Sequence, residues 1–281
     1  MDYLISTEWL AAELGARDLR VIDASLHLPD AAREARAEYA NGHIPGAMFL
    51  DLAEIKDFPE EATFASRMCA LGVGDGNRIV VYDNSALHSA ARAWWLLRSF
   101  GARHVALLDG GLAKWKAEGR ALEEAAPKVR PGHFAARADT GALARMSDVA
   151  NAGDTQIVDA RSAARFAGAE QEPRAGLSPG HIPGSRNLPQ GQLFAADGTW
   201  KRGNDLRAAF SAAGVDVARP LITTCGSGVT AAVLSFGAHL LGARDVRLYD
   251  GSWAEWGADP ATPKATGPSK GTSQSSTLRD P

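Results

Sequence analysis

The residue of this sequence with the clearest chemistry is a cysteine at the start of a glycine-rich run. Cys225 follows a short β-rich stretch and precedes Gly226-Ser227-Gly228-Val229-Thr230, after which the pattern becomes helical. Two glycines let the backbone curl so that successive N–H groups point inward and form a nest for an anion. The positive end of the following helix adds to this field. The pattern predicts that Cys225 is a thiolate nucleophile.

Other uses of cysteine are less favoured by the sequence. A phosphatase loop needs an arginine at the sixth position after its cysteine to clamp phosphoryl oxygens, and here that position is Ala231. The second cysteine, Cys69, lies in an apparent core helix and is expected to be structural. Two cysteines are too few for a disulfide framework, and without a histidine cluster they do not indicate zinc.

The elements that must position the thiol occur twice in the chain. The pentapeptide Gly-His-Ile-Pro-Gly at 42–46 recurs at 180–184, and Asp109-Gly110-Gly111 recurs as Asp250-Gly251-Ser252. Between these motifs, short β-rich runs (21–22, 79–82 and 105–108) alternate with helical stretches (7–14, 89–100 and 229–241). This alternation predicts two α/β domains, each with a parallel sheet flanked by helices.

The boundaries of the two copies follow from this repeat. We expect an N-terminal domain over 1–125, an ordered linker over 126–146 and a C-terminal domain over 147–260. The remaining residues, 261–281, are rich in Pro, Thr, Ser and Gly and are expected to be disordered.

The copies differ where a ligand would bind. Aligning 79–83 with 221–225 places Asp83 against Cys225, each at the end of a predicted strand. Ligands of parallel sheets bind at the C-terminal ends of strands. The second copy is therefore predicted to be catalytic and the first copy inactive.

The repeated motifs and the Cys225–Ala231 run resemble the tandem-domain rhodanese-family sulfurtransferases over about residues 3–257. The resemblance implies two rhodanese-like domains, a Cys225 persulfide and no metal or organic cofactor. Members that use thiosulfate carry cationic residues directly after the cysteine, whereas Gly226 and Ser227 are similar to the loop of members that use 3-mercaptopyruvate.

The same resemblance implies roles for individual residues. Arg165 and Arg174 match two substrate-binding arginines of the family that stand nine residues apart, and guanidinium groups suit a 2-oxo carboxylate. Ser227 would hydrogen-bond the substrate. The predicted persulfide-cradling residues are Gly226, Gly228, Val229 and Thr230. His43 and His181, which recur in both copies, are expected to be structural, as are His88 and Arg92.

One segment departs from the family pattern. The loop after Asp51 is short, Ala53 stands where the family has an aspartate, and no histidine lies between His43 and His88. The Asp and His of the family's proposed serine-assisted relay therefore have no counterpart. Two alternatives to a mercaptopyruvate enzyme stay open: a thiosulfate sulfurtransferase, and a persulfide carrier or sensor without turnover.

The composition limits the classes of partner that the protein is expected to bind. The net charge of −3, with both signs well mixed, argues against nucleic acid. No apolar run is long enough to span a bilayer, and the acidic start lacks the features of a secretory signal, so we expect a cytoplasmic protein. The expected partners are a small-molecule sulfur donor and a thiol acceptor such as a thioredoxin-like protein.

Overall fold

The computed structural model describes residues 1–28, 31–55, 57–125 and 127–268. These residues form two five-stranded sheets with all neighbouring strands parallel, in the orders β1-β5-β4-β2-β3 and β6-β10-β9-β7-β8. The strand order is the same in both halves, which confirms two copies of one α/β fold.

The first copy contains strands β1 (Leu4–Ile5), β2 (Leu19–Asp23), β3 (Met48–Phe49), β4 (Arg78–Tyr82) and β5 (His104–Leu108), and helices α1 (Thr7–Glu13), α2 (Ala35–Ala40), α3 (Glu61–Ala70), α4 (Ala90–Ser99) and α5 (Gly111–Ala117). The second copy contains strands β6 (Leu143–Ala144), β7 (Gln156–Asp159), β8 (Arg186–Asn187), β9 (Leu221–Thr224) and β10 (Val246–Tyr249), and helices α6 (Met146–Ala150), α7 (Ala163–Ala167), α8 (Gly203–Ala212), α9 (Ala231–Leu240) and α10 (Ser252–Trp256).

The central strands are buried on both faces, as expected for parallel sheets covered by helices. Strand β4 pairs with β2 on one side and β5 on the other, and Ile79, Val80 and Val81 are almost fully buried. Strand β9 has the same place between β7 and β10. The residue that follows β9 is therefore held at the middle of a sheet edge.

The two domains pack through α4 and α9. Both helices are buried over most of their length, since each lies between its own sheet and the other domain. Trp94 of α4 meets Phe236 of α9 edge to face, with ring centroids 4.9 Å apart. Helix α9 begins at Ala231, two residues later than predicted, because Val229 and Thr230 remain in the turn after the left-handed Gly228.

Two segments are more tightly integrated than the sequence suggested. Strand β6 lies inside the expected linker and pairs with β10, so the second sheet begins before residue 147. At the start of the expected disordered tail, His181 and Ala265 exchange two backbone hydrogen bonds, and the Gly267 N–H donates to the Ala167 carbonyl. These backbone hydrogen bonds order the segment, although its composition is typical of a disordered tail. The rest of the expected tail, 269–281, lies outside the described residues.

None of the helices in the described part of the chain combines the length and hydropathy needed to cross a membrane.

Candidate active site

Cys225 lies directly after β9, where the backbone of the loop is tied to α10. The Trp253 N–H donates to the Cys225 carbonyl (3.0 Å), and the Ala254 N–H donates to the Gly226 carbonyl (2.9 Å). Gly228 has a φ of +78°, and a Cβ at this position would lie 2.5 Å from Asp250 Oδ1. Glycine is therefore required at 228 for both conformation and space.

A serine that the sequence analysis missed lies at the base of the loop. Ser252 Oγ accepts hydrogen bonds from the N–H groups of Cys225 (3.2 Å) and Gly228 (3.1 Å), donates to the Tyr249 carbonyl (2.8 Å), and lies 4.0 Å from Cys225 Sγ. Ser252 is fully buried and adopts a left-handed φ of 51°. The repeat did contain a signal, since the first copy has Gly111 at this position.

The other amides of the loop have no protein acceptor. Within the described part of the chain, four half-buried residues donate their backbone N–H groups to no protein group: Gly226, Ser227, Val229 and Thr230. Backbone donors in such positions need an acceptor. An anionic sulfur on Cys225 would supply one.

In the equivalent loop of the first copy, protein groups accept hydrogen bonds from the backbone N–H groups of residues 84, 85, 87 and 88. The Asp83 carboxylate accepts from the N–H groups of Ser85 (3.0 Å) and Ala90 (2.6 Å), and Ser85 Oγ accepts from Leu87 (3.1 Å). Burial raises the pKa of the Asp83 carboxyl to about 6, against the opposing effect of these two amide bonds. The first copy thus fills the anion position with the Asp83 side chain and has no thiol at this position.

Arg165 lies against the loop that begins at Cys225 (the Cys225 loop). A Cβ at residue 226 would be only 2.9 Å from Arg165 Nη2, so the absence of a side chain on Gly226 leaves room for the guanidinium. Glu172 accepts from Arg165 Nη2 (2.5 Å) and Nε (3.3 Å). Glu172 was not predicted from the sequence, and its side chain is only 2% exposed.

A second arginine anchors Glu172. Arg161 Nη1 donates to Glu172 (2.7 Å), while its other nitrogens bond Asp159 and the Gly180 carbonyl, and its guanidinium lies 4.5 Å from the centre of the Trp253 ring. Desolvation opposes the charge on Arg161, but the two carboxylates outweigh it and raise its pKa. Carboxylate and guanidinium groups thus alternate in an ion-pair network from Asp159, at the end of β7, to Arg165 beside the Cys225 loop.

Two predicted site residues make no polar contact that would define a role. Arg174 is exposed on the segment between α7 and β8, and it takes part in no hydrogen bond or ion pair within the described ranges. Ser227 is half-buried, and the described residues offer its hydroxyl no hydrogen-bond partner. Cys225 itself is only 2% exposed.

The repeated histidines are held as structural groups. His43 Nδ1 lies 2.8 Å from the Tyr39 carbonyl, and the imidazole stacks on the Tyr39 ring. His181 Nδ1 lies 2.8 Å from the Phe166 carbonyl, and the imidazole stacks on the Phe166 ring. His88 stacks on Phe194 of the second domain, with centroids 3.6 Å apart, and burial lowers its pKa to about 4.

The remaining sequence candidates also have structural partners. Cys69 Sγ accepts from the Phe134 N–H (3.4 Å) and so joins α3 to the segment between the domains. The Asp51 carboxylate accepts from the Ala53 N–H and from Arg36. No group of three or more potential metal ligands occurs among the residues that the structure describes.

Space between the domains adjoins the turn that carries Ser252. A cavity of about 720 Å³ is lined on one side by Asp57 and Phe58, from the short segment after Asp51, and on the other by Asp250 and Gly251. Cys225 is not among its lining residues.

Comparison with known proteins agrees with this geometry. The rhodanese-like domain family matches residues 6–118 and 143–259. The chain is 41% identical to 3-mercaptopyruvate sulfurtransferase of Escherichia coli (strain K12), over 91% of this chain and 95% of the relative. It is also 41% identical to thiosulfate sulfurtransferase of Bos taurus, over 90% and 91% of the two chains.

The solved structures give the same result. The crystal structure of SseA from Escherichia coli, described as a 3-mercaptopyruvate sulfotransferase, superposes with a TM-score of 0.82 at 39% identity, covering 90% of this chain and 99% of the other. The family match spans both halves of the chain, and each half carries the same sheet. This chain therefore belongs to the rhodanese family and contains two rhodanese-like domains.

Proposed function

We propose that this chain is a 3-mercaptopyruvate sulfurtransferase that carries sulfur as a persulfide on Cys225. The observation that supports this most is the contrast between the two loops at equivalent sheet edges. The Asp83 carboxylate accepts from two amides of its own loop and helix, those of Ser85 and Ala90, whereas the Cys225 loop leaves four amides without a protein acceptor among the described residues. A persulfide anion matches the charge and position that this loop lacks.

The first half-reaction transfers the sulfur atom of the donor. The Cys225 thiolate attacks the thiol sulfur of 3-mercaptopyruvate, so that an S–S bond forms and the donor C–S bond breaks. The electron pair of the C–S bond passes to the pyruvate enolate, which takes up a proton at carbon as the thiol proton is lost. Ser227, the hydroxyl of the loop, is the proposed partner of the donor and relay for this proton.

The second half-reaction regenerates the thiolate. An acceptor, either cyanide or a thiol such as that of a thioredoxin-like protein, attacks the outer sulfur of the persulfide, and the Cys225 thiolate leaves. Because the donor product departs before the acceptor reacts, the scheme predicts ping-pong kinetics.

Arg165 is proposed to bind the donor carboxylate next to the loop. Glu172 engages its Nε and one N–H of Nη2, and a guanidinium has five N–H donors, so the others remain for a substrate. Arg174 is proposed as the second carboxylate ligand. Its exposed position requires the segment between α7 and β8 to move toward the cleft when the donor binds.

The choice of donor rests on the loop, because overall identity does not separate the candidates. The chain is equally similar to a mercaptopyruvate and a thiosulfate enzyme, at 41% identity each. Thiosulfate is a compact dianion that calls for cationic side chains beside the sulfur, and positions 226 and 227 are Gly and Ser. Mercaptopyruvate carries its carboxylate away from the thiol, which suits Arg165.

Steady-state rates with both donors test this proposal, with cyanide as the common acceptor. We expect a higher kcat/KM for 3-mercaptopyruvate and parallel double-reciprocal lines. Preference for thiosulfate would make the alternative enzyme correct. Formation of a persulfide without turnover on either donor would identify a carrier or sensor.

A further inference from the structure

The two domains exchange ion pairs at equivalent turns. Asp109 and Asp250 each follow the strand at the corresponding place in their sheet, and each meets an arginine of the other domain. Arg202 Nη2 lies 2.7 Å from Asp109 Oδ2, and Arg92 Nη1 lies 2.5 Å from Asp250 Oδ1. The two aspartates are equivalent in the repeat, whereas the arginines are not: Arg92 lies in α4 and Arg202 directly precedes α8. Only the Arg92–Asp250 pair adjoins the Cys225 loop.

The pair beside the thiol is the buried one. The side chains of Arg92 and Asp250 are 3% and 11% exposed, whereas that of Arg202 is 61% exposed. The Arg92 guanidinium also lies 4.8 Å from the centre of the Trp95 ring on its own helix, α4. A buried charge must be paired, so the positions of Arg92 and Asp250 are strongly coupled.

This pair packs against Gly228 of the Cys225 loop. Asp250 Oδ1 lies 2.5 Å and Arg92 Nη1 3.4 Å from the point where a Cβ on Gly228 would be. Asp250 also begins the turn that carries Ser252, and Ser252 Oγ holds the amides of Cys225 and Gly228. A displacement of Asp250 would therefore move both supports of the loop.

We infer that Arg92, which the catalytically silent domain supplies, is a positioning residue for the Cys225 loop of the other domain. Its ion pair fixes Asp250, and Asp250 in turn fixes Gly228 and the Ser252 turn. The inference rests on the proposed function only in taking Cys225 as the reacting group. It gives the first domain a role in catalysis without chemistry of its own.

The test compares the two interdomain ion pairs, whose aspartates are equivalent in the repeat. Arg92→Lys and Asp250→Asn perturb the pair beside the thiol, and Arg202→Lys and Asp109→Asn make the same changes in the other pair. For each variant we would measure kcat and KM for the donor, the thermal midpoint, and the rate constant for alkylation of Cys225 by iodoacetamide, followed at the peptide that contains residue 225.

For Arg92→Lys and Asp250→Asn we expect kcat to fall about tenfold or more with KM within about twofold, as for a small misplacement of a reacting group. The alkylation rate constant of these two variants should change by more than about threefold. In both control variants kcat, KM and the alkylation rate constant should stay within about twofold of the parent values. Because Arg92→Lys keeps the positive charge, it still tests the inference if the Asp250→Asn protein does not fold.

Two results would overturn the inference. One is a lower thermal midpoint in the Arg92 and Asp250 variants with unchanged kcat and alkylation rate, which would mean that the pair only joins the domains. The other is an equal loss of kcat in the control variants. If the parent protein transfers sulfur from neither donor, the proposed function fails, and the alkylation rates alone still decide the role of Arg92.

Discussion

Replacing Ser252 by glycine gives the second copy the residue that the first copy has at Gly111. The change removes the acceptor of the Cys225 and Gly228 N–H groups, which lie 3.2 and 3.1 Å from Ser252 Oγ. Each buried donor left without a partner costs about 1–2 kcal/mol, so the two together cost about 2–4 kcal/mol. Glycine relieves the left-handed strain of Ser252 (φ 51°), which returns about 1 kcal/mol.

The net expectation for Ser252→Gly is a loss of about 1–3 kcal/mol in the free energy of unfolding, measured with guanidinium chloride. The loop also loses its fixed base, so kcat should fall at least about tenfold while KM changes little. Ser252→Ala is the matched control for strain: it loses the same hydrogen bonds but keeps the unfavourable φ, and should be less stable than Ser252→Gly by about 1 kcal/mol. A Ser252→Gly protein with parental kcat would refute the role given to this hydroxyl.

Three further changes test other parts of the site. Glu172→Gln loosens Arg165, so KM for 3-mercaptopyruvate should rise about tenfold with a smaller change in kcat; a parental KM would contradict this. His88 has a folded pKa lowered to about 4 from 6.5, so the unfolded chain binds more protons between these values and stability is lost as the pH falls from about 6.5 toward 4. His88→Asn should therefore lose about 1–3 kcal/mol less than the parent between pH 7 and pH 4 in urea titrations, and an equal loss would exclude His88 as the cause. The double change Gly226→Arg with Ser227→Lys should lower kcat/KM for mercaptopyruvate, because a side chain at 226 displaces the Arg165 guanidinium. It should raise kcat/KM for thiosulfate, because it places cationic side chains beside the sulfur. An unchanged ratio of the two kcat/KM values would show that the loop does not select the donor.

The sequence predicts the parts of the fold that depend on local pattern and repetition. Alternation of β-rich and helical runs identifies the strand before Cys225 and the helix after it, and the repeat places Asp83 at the equivalent sheet edge. These features follow from periodicity and turn residues, which short windows of sequence contain.

The contacts that depend on distant residues were not predicted. Glu172 is a charged residue in a loop, and only folding brings it between Arg161 and Arg165. Arg92 was expected to be structural, and its contact with Asp250 was not predicted because Asp250 lies in the other domain. Ser252 was visible as a mismatch with Gly111, but its role depends on a left-handed turn that serine rarely adopts.

The start of the expected tail also makes contacts that the sequence does not reveal. Residues 261–268 have the composition of a disordered tail, yet the backbone of Ala265 bonds that of His181. Backbone pairing of this kind is independent of side chains and leaves little trace in composition.

The central claim is that Cys225 alone accepts the transferred sulfur. Intact-mass spectrometry of the protein after incubation with 3-mercaptopyruvate, followed by peptide mapping, measures this directly, with Cys225→Ser and Cys69→Ser as paired controls. The account predicts the added mass of one sulfur atom on residue 225 in the parent and in Cys69→Ser, and none in Cys225→Ser. A sulfur adduct that maps to Cys69, or one that persists in Cys225→Ser, would contradict it.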